Sequence, residues 1–338
     1  MKTTTLERPN KERNCPNPFG EAMYLADGGM ESILVFKRGV ELNHFAAFEL
    51  LNNEEGREEM RRYFIPFLDL AVQYDYHFVA ETPTWRASPD WAFKLGYSIA
   101  EMNAINSYSV RFLRELIEEH RIPAEKTLVS GNLGPRGDGY FVDQMMTPRE
   151  ARAYHSEQIK TFALADADLV SAFTLNYADE AIGIVLAARE FNIPVVISFT
   201  TETDGRLPSG STLREAIEKT DNETDGYATF FMINCSHTEH FKHVFREGGD
   251  WISRVGAIRA NASLKSHAEL DESETLDSGD RCLLASGYHE LSHLLPNLQV
   301  VGGCCGTDYS HIAKICEVLF HDDPAKCREA VAEYQHLN

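Results

Sequence analysis

No stretch of this chain is long and apolar enough to cross a bilayer, which takes about 20 residues in a helix. Basic residues are few beside acidic ones, 32 lysines and arginines against 52 aspartates and glutamates, for a formal charge of −20. That balance excludes two partner classes, nucleic acid and anionic lipid, because both are held by clustered Lys and Arg. No Gly-x-Gly-x-x-Gly follows the first apolar run, and Gly-x-x-x-x-Gly-Lys occurs nowhere. The loops that cradle dinucleotides and nucleoside triphosphates are therefore missing. There is also no Cys-x-x-Cys, the knuckle from which structural zinc sites are usually built. The first residues, Met1 to Arg13, are polar and lack the apolar core of a signal peptide, so a cytoplasmic protein is expected.

Seven cysteines are present, namely Cys15, Cys235, Cys282, Cys304, Cys305, Cys316 and Cys327. An odd number in a long chain without an export signal reads as reduced thiols available for metal or chemistry, rather than as staples. The charge that repels phosphates would attract a small cation.

Short apolar runs recur along the chain, each followed by a polar turn and a helical pattern. They are 23–26, 77–80, 127–130, 169–173, 195–199, 230–233, 255–258 and 300–301. Between them, Met60, Phe64, Phe67, Leu68 and Ala71 share one helix face, and Ile99 to Ile117, Ala181 to Ala188 and Ile312 to Leu319 repeat the 3.6-residue spacing. Strands alternating with helices make parallel βαβ units, and about eight of them fit a single-domain (β/α)8 TIM barrel. The expected organisation is an N-terminal extension over 1–20, the barrel over 21–322 and a helical tail over 323–338.

In such a barrel, chemistry sits at the C-terminal ends of the strands. The unusual residues fall there. Asp27-Gly28-Gly29 follows run 1, Glu81-Thr82 follows run 2, Asn234-Cys235-Ser236-His237 follows run 6, and Gly302-Gly303-Cys304-Cys305-Gly306 follows run 8. Runs 6 and 8 are near neighbours around a barrel, so three thiols can meet at its mouth. Three protein ligands with one open place is the pattern of a catalytic zinc. Small buried core thiols are the plainer reading of a lone cysteine, but the glycine-flanked pair at a strand end tips the balance to a metal. His289-Glu290-Leu291-Ser292-His293 matches the metalloprotease zinc motif, yet it falls on an outer-ring helix and reads as a surface helix.

Val301-Gly-Gly-Cys-Cys-Gly-Thr307, together with Asn234-Cys-Ser-His237, Asp27-Gly-Gly-Met30, Glu81-Thr82 and Gly131-Asn-Leu-Gly-Pro135, resembles the homocysteine S-methyltransferase family. The resemblance implies a (β/α)8 barrel in which Cys235, Cys304 and Cys305 hold Zn²⁺ and activate the substrate thiol. It also implies that Asp27 and Gly28 contact the amino-acid end of homocysteine. One position departs from the family pattern, because Phe173-Thr174 stands where the family carries a glutamate that holds the substrate's amino group. Glu81 is the candidate to replace it. The departure also leaves open a relative that methylates a different thiol or selenol. A non-catalytic zinc- or thiol-sensing protein is a third reading, separated from the others by turnover.

Three thiolates and a substrate thiolate around Zn²⁺ carry a charge of 3 + 1 negative against 2 positive, so a cationic methyl donor is favoured over anionic folate. The short C-terminal stretch and the absence of a cobalamin module point the same way. The expectation is a sulfonium donor, S-methylmethionine or S-adenosylmethionine, and a role in methionine biosynthesis.

Overall fold

The computed structural model describes residues 17–142 and 144–321. Cys15, Cys327 and the expected tail over 323–338 lie outside them. Eight strands, β1 (Tyr24–Leu25), β2 (His77–Glu81), β3 (Thr127–Leu133), β4 (Leu169–Leu175), β5 (Val195–Phe199), β6 (Phe231–Asn234), β7 (Val255–Ala260) and β8 (Val300–Gly303), follow one another around a closed barrel. Every pairing is parallel, and Tyr24 closes the ring with His77 on one side and Val300 on the other. Each expected apolar run lies on or overlaps one strand.

Alternation along the strands explains the two layers of core. Tyr24, Val79, Leu128, Leu169, Val196, Met232, Ala257 and Val300 fill the barrel interior. Their neighbours in sequence, such as Leu25, Phe78, Val129, Val170, Ile197, Phe231 and Val301, pack outward on the helices. This is the period of two that a pleated strand imposes. Phe19 belongs to the inner layer, with its ring 5.1 Å from Tyr24 and 4.9 Å from Phe230. The last residues before the strand-1 run thus seal the floor of the barrel.

The outer ring comprises α1 (Glu54–Gln73), α2 (Ile99–Glu119), α3 (Pro148–Leu164), α4 (Ala178–Glu190), α5 (Leu213–Thr224), α6 (Thr238–Phe241), α7 (Arg281–Leu294) and α8 (Tyr309–His321). Ser98, Thr147 and Thr212 open α2, α3 and α5 with capping boxes to Glu101, Glu150 and Glu215. The sixth position is irregular. Its four-residue α6 passes into 3-10 turns over Lys242–Glu247 and Asp250–Arg254. Among the described residues no helix is long and apolar enough to cross a membrane.

Towards the C-terminal ends the barrel interior turns from apolar to polar. Ser130 and Ser171 share a 2.8 Å hydrogen bond across β3 and β4. Asn234 accepts from Ser198 Oγ at 2.6 Å and from the Thr174 N–H at 2.9 Å. Polar groups in this layer make the floor of a cavity.

Candidate metal and thiol site

Cys235, at the tip of β6, takes a left-handed backbone with φ of 57°. A residue other than glycine is held there only when its surroundings fix it. Its N–H donates to Arg259 O, and its carbonyl accepts from Asn261 Nδ2 at 2.9 Å and His267 Nε2 at 2.6 Å. Since a carbonyl only accepts, that His267 nitrogen carries the proton. The effect is to turn the Cys235 side chain over the barrel mouth.

Cys304 and Cys305 follow β8 and are wedged between neighbouring loops. Cys304 N–H donates to Ala260 O, Cys305 O accepts from Ala262 N–H, and Thr307 caps Cys304 O through both N–H and Oγ. Gly306 lets the chain leave in the left-handed region at φ +81°. On the far side, a Cβ at Gly29 would lie 2.5 Å from Cys304 O, so the Asp27-Gly28-Gly29 turn presses backbone against backbone.

The result is a cluster. Cys235 Sγ lies 2.8 Å from Cys304 Sγ and 3.6 Å from Cys305 Sγ, and the three sulfurs all fall within 4.8 Å of one another. Sulfurs on a shared tetrahedral zinc, at about 2.3 Å each, stand about 3.8 Å apart. The soft donors suit zinc, the 3.6 Å pair stands at that spacing, and the 2.8 Å pair would have to open by about 1 Å to share a metal. Cys304 is the thiol that ionises first. It accepts hydrogen bonds from Cys235 and Cys305, with Arg259 nearby, and its pKa lies well below the ordinary value. Cys235 is raised by its hydrogen bonds to Cys304 and then Cys305, and by burial. Tyr140 Oη reaches to 3.1 Å from Cys235 Sγ and 3.8 Å from Cys305 Sγ. Burial, then the adjoining thiols, raise its pKa well above the usual range, so the phenol keeps its proton.

The cavity below the sulfurs, about 80 Å³, is lined by Asp27, Gly28, Glu81, Phe173, Asn234 and Arg259 among others. Asp27 is spoken for. Tyr63 donates to its Oδ2 at 2.8 Å, and Arg259 forms a buried ion pair with Oδ1. Arg259 also donates to Gly303 O at 3.0 Å, tying β7 to β8. Burial opposes its charge, but Asp27 and then Glu81 raise its pKa above the ordinary range. Glu81 differs from Asp27. It is 5% exposed, and its Oε2 has no partner. Burial pushes its pKa up to about 8. Phe173 presents its ring to Arg259, whose guanidinium carbon lies 5.1 Å from the ring centre.

The two histidines nearest in sequence to the cysteines do other work. His237 caps α6, with Nδ1 accepting from Glu239 N–H at 3.2 Å, and burial lowers its pKa to about 4. His311 pairs with Asp308 at 2.8 Å. His289 and His293 sit on α7, with ring centres 4.7 Å apart, while Glu290 pairs with Lys242 and Arg246. Among the described residues the three cysteines are the one metal-competent group of three. Tyr140 and Arg259 were not singled out in the sequence. An arginine inside the apolar run of β7 is a signal that could have found Arg259. Tyr140 lies in a loop and gives none.

A closed parallel barrel gathers three thiols, a group that could hold a soft metal, over a polar pocket at its C-terminal mouth. The chain belongs to the homocysteine S-methyltransferase family, which it matches over residues 24–319, and so to the methyltransferases. Homocysteine S-methyltransferase 1 of Arabidopsis thaliana is 21% identical over 319 residues, 87% of this chain and 93% of that protein. The fold matches the metallated form of the homocysteine methyltransferase MmuM from Escherichia coli, with a TM-score of 0.69, 22% identity, and 89% and 99% of the two chains covered. It matches the oxidized form with a TM-score of 0.70, 21% identity and the same coverage.

Proposed function

We propose that the chain is a zinc-dependent thiol S-methyltransferase that moves a methyl group from a sulfonium, S-methylmethionine or S-adenosylmethionine, to homocysteine, giving methionine. The observation that carries this reading is the convergence of Cys235, Cys304 and Cys305 within 4.8 Å, at a pocket whose wall holds the Glu81 carboxyl with one oxygen, Oε2, free of partners. Zinc, when bound by these three thiols, supplies the Lewis acidity that lets a substrate thiol lose its proton at neutral pH. The chain's own residues do the rest.

Glu81 receives the ammonium group of homocysteine, since Asp27 already has Tyr63 and Arg259 as partners. An approaching ammonium lowers the Glu81 pKa, and the carboxyl gives up its proton. Asp27 and Gly28 shape the same end of the pocket. Asn234, fixed by Ser198 and Thr174, has Nδ2 3.8 Å from Cys304 Sγ and steadies the sulfur layer. The substrate sulfur then forms its bond to the methyl carbon in line with the departing group. The donor C–S bond breaks, its electron pair stays on the departing sulfur, and the positive charge disappears. Holding the two partners in line is where positioning lowers the barrier.

Phe173 favours a second reading, in which the natural acceptor is another thiol or a selenol lacking an ammonium at that place. Both readings require turnover, which a zinc- or thiol-sensing protein would lack. Zinc-loaded and metal-stripped protein should be compared for methylation of homocysteine, its des-amino analogue and selenohomocysteine, with sulfoniums, betaine and methylfolate as donors. Homocysteine with a sulfonium is expected to turn over fastest, and only with zinc. Preference for the des-amino thiol would favour the second reading, and faster reaction with betaine or methylfolate would contradict the donor.

A further inference from the structure

Above the thiol pocket lies a larger cavity of about 410 Å³ that shares Glu31, Ser32, Trp85, Tyr140 and Cys305 with it. This upper chamber is the approach from which a methyl donor must reach a thiol held at the sulfurs. One of its lining residues, Arg86, is held in an unusual way. Its guanidinium carbon sits 4.0 Å from the ring centre of Trp85 and 3.9 Å from that of Trp91, clamped between two indoles. It is 9% exposed. Nη1 donates to Gly137 O at 3.3 Å, its one protein acceptor among the described residues, and Nε has none. No carboxylate among the described residues comes within ion-pair reach of it, although Asp138 and Glu31 line the same chamber. Asp138 Oδ1 accepts from the N–H groups of Tyr140 and Phe141 at 2.7 and 3.2 Å, and Asp138 acts on Arg86 only through the field, without a direct bond.

A buried guanidinium with no direct ion pair, facing only the more distant charges of Asp138 and Glu31, is costly unless something arrives to pair with it. Stacking on both faces fixes its plane and leaves its edge to donate, which is the geometry for a carboxylate. Across the chamber, Glu31 and the face of Tyr140 suit a cation.

We infer that Arg86 is the specificity residue of the donor chamber, and that it holds the carboxylate of a methyl donor whose onium end points to the thiols. The donors named above all carry a carboxylate; the new element is the residue that receives it. This inference rests on the thiol-methylation reading above.

The test uses 3-dimethylsulfoniopropionate, which has a sulfonium, a carboxylate and little else, and its carboxamide, which lacks the negative charge. The chain has three tryptophans, two of which flank Arg86, while Trp251 stacks on Phe245 elsewhere. Tryptophan fluorescence therefore reads binding without turnover. In zinc-loaded protein the acid should bind at least about tenfold tighter than the amide, the usual size of a charge-assisted pair. Arg86→Gln should abolish that difference by weakening the acid alone, and Arg86→Lys should restore part of it. Unchanged binding of the amide by Arg86→Gln serves as the check that the chamber is intact. Equal loss for acid and amide, or no loss for either, would overturn the inference. If the binding pattern holds but no thiol is methylated, the proposed function fails and the chamber assignment stands. If methyl transfer occurs and Arg86→Gln leaves the acid's KM unchanged, the reverse is true.

Discussion

At the scale of single residues, the site separates into groups that hold and groups that receive. In the proposed reading Cys235, Cys304 and Cys305 hold zinc, and two thiolates cannot retain it tightly at an open position. Cys304→Ala or Cys305→Ala should therefore lose metal and activity together, as read by zinc content per chain. Cys282→Ala, on the outer helix α7, should lose neither. Retention of one zinc by the Cys304→Ala, Cys305→Ala double variant would contradict the ligand set. Glu81 is the proposed receiver, and its burial has a cost that pH reveals. Its pKa of about 8 in the folded chain stands well above the roughly 4.3 of an unfolded glutamate. The folded state keeps its proton where the unfolded state has released it. Stability from this group is full below about pH 4 and drains away as pH rises to about 8. Glu81→Gln removes that slope. Its melting temperature should gain on the wild type between pH 5 and pH 8, by an amount worth on the order of a few kcal/mol. The KM for homocysteine should rise about tenfold in the same variant, because the substrate ammonium no longer meets a carboxylate. A constant gap in melting temperature across that range would show that Glu81 is not held protonated.

At the scale of elements, the site is made by loops that touch through bare backbone. The turn after β1 meets the loop after β8 at Gly29, where any side chain collides with Cys304 O. Gly29→Ala must push the two loops apart. A loss of about 2 to 3 kcal/mol in chemical denaturation is expected, with weakened zinc binding, because the displaced residue carries a ligand. Full stability with full metal content would mean that these loops are not coupled. The strands themselves were legible in the sequence, since buried parallel strands read as short apolar runs. The Gly-Gly-Cys-Cys-Gly run and Asn234-Cys235 were legible too, because strand ends are where a barrel places chemistry. Other features left no such trace. The left-handed turn at Cys235 is imposed by His267 and Asn261 from the following unit, and cysteine has no preference for it. Tyr140 and Arg86 act from loops, where their neighbours depend on how distant segments meet and no local spacing records it.

At the scale of the whole molecule, a charge of −20 surrounds a cluster of thiols and carboxylates at the barrel mouth. Such a field raises the local concentration of a cation and weakens as salt screens it. The KM for S-methylmethionine, which carries net positive charge, should rise several-fold between about 20 and 300 mM salt, whereas that for zwitterionic betaine should move little. Equal salt dependence would remove the field from donor choice. The barrel itself could be anticipated from eight alternating units, but its closure through the two-residue β1 rests on pairing to both β2 and β8, a long-range fact. What unites the molecule is the claim that three thiols from the ends of β6 and β8 present one zinc with a place for a substrate sulfur. Zinc-edge X-ray absorption of the metal-loaded chain, recorded with and without homocysteine, tests it most directly. Three sulfur neighbours at about 2.3 Å should become four on adding homocysteine, with a lighter ligand displaced. A first shell that stays at three sulfurs, or that never holds three, would contradict it.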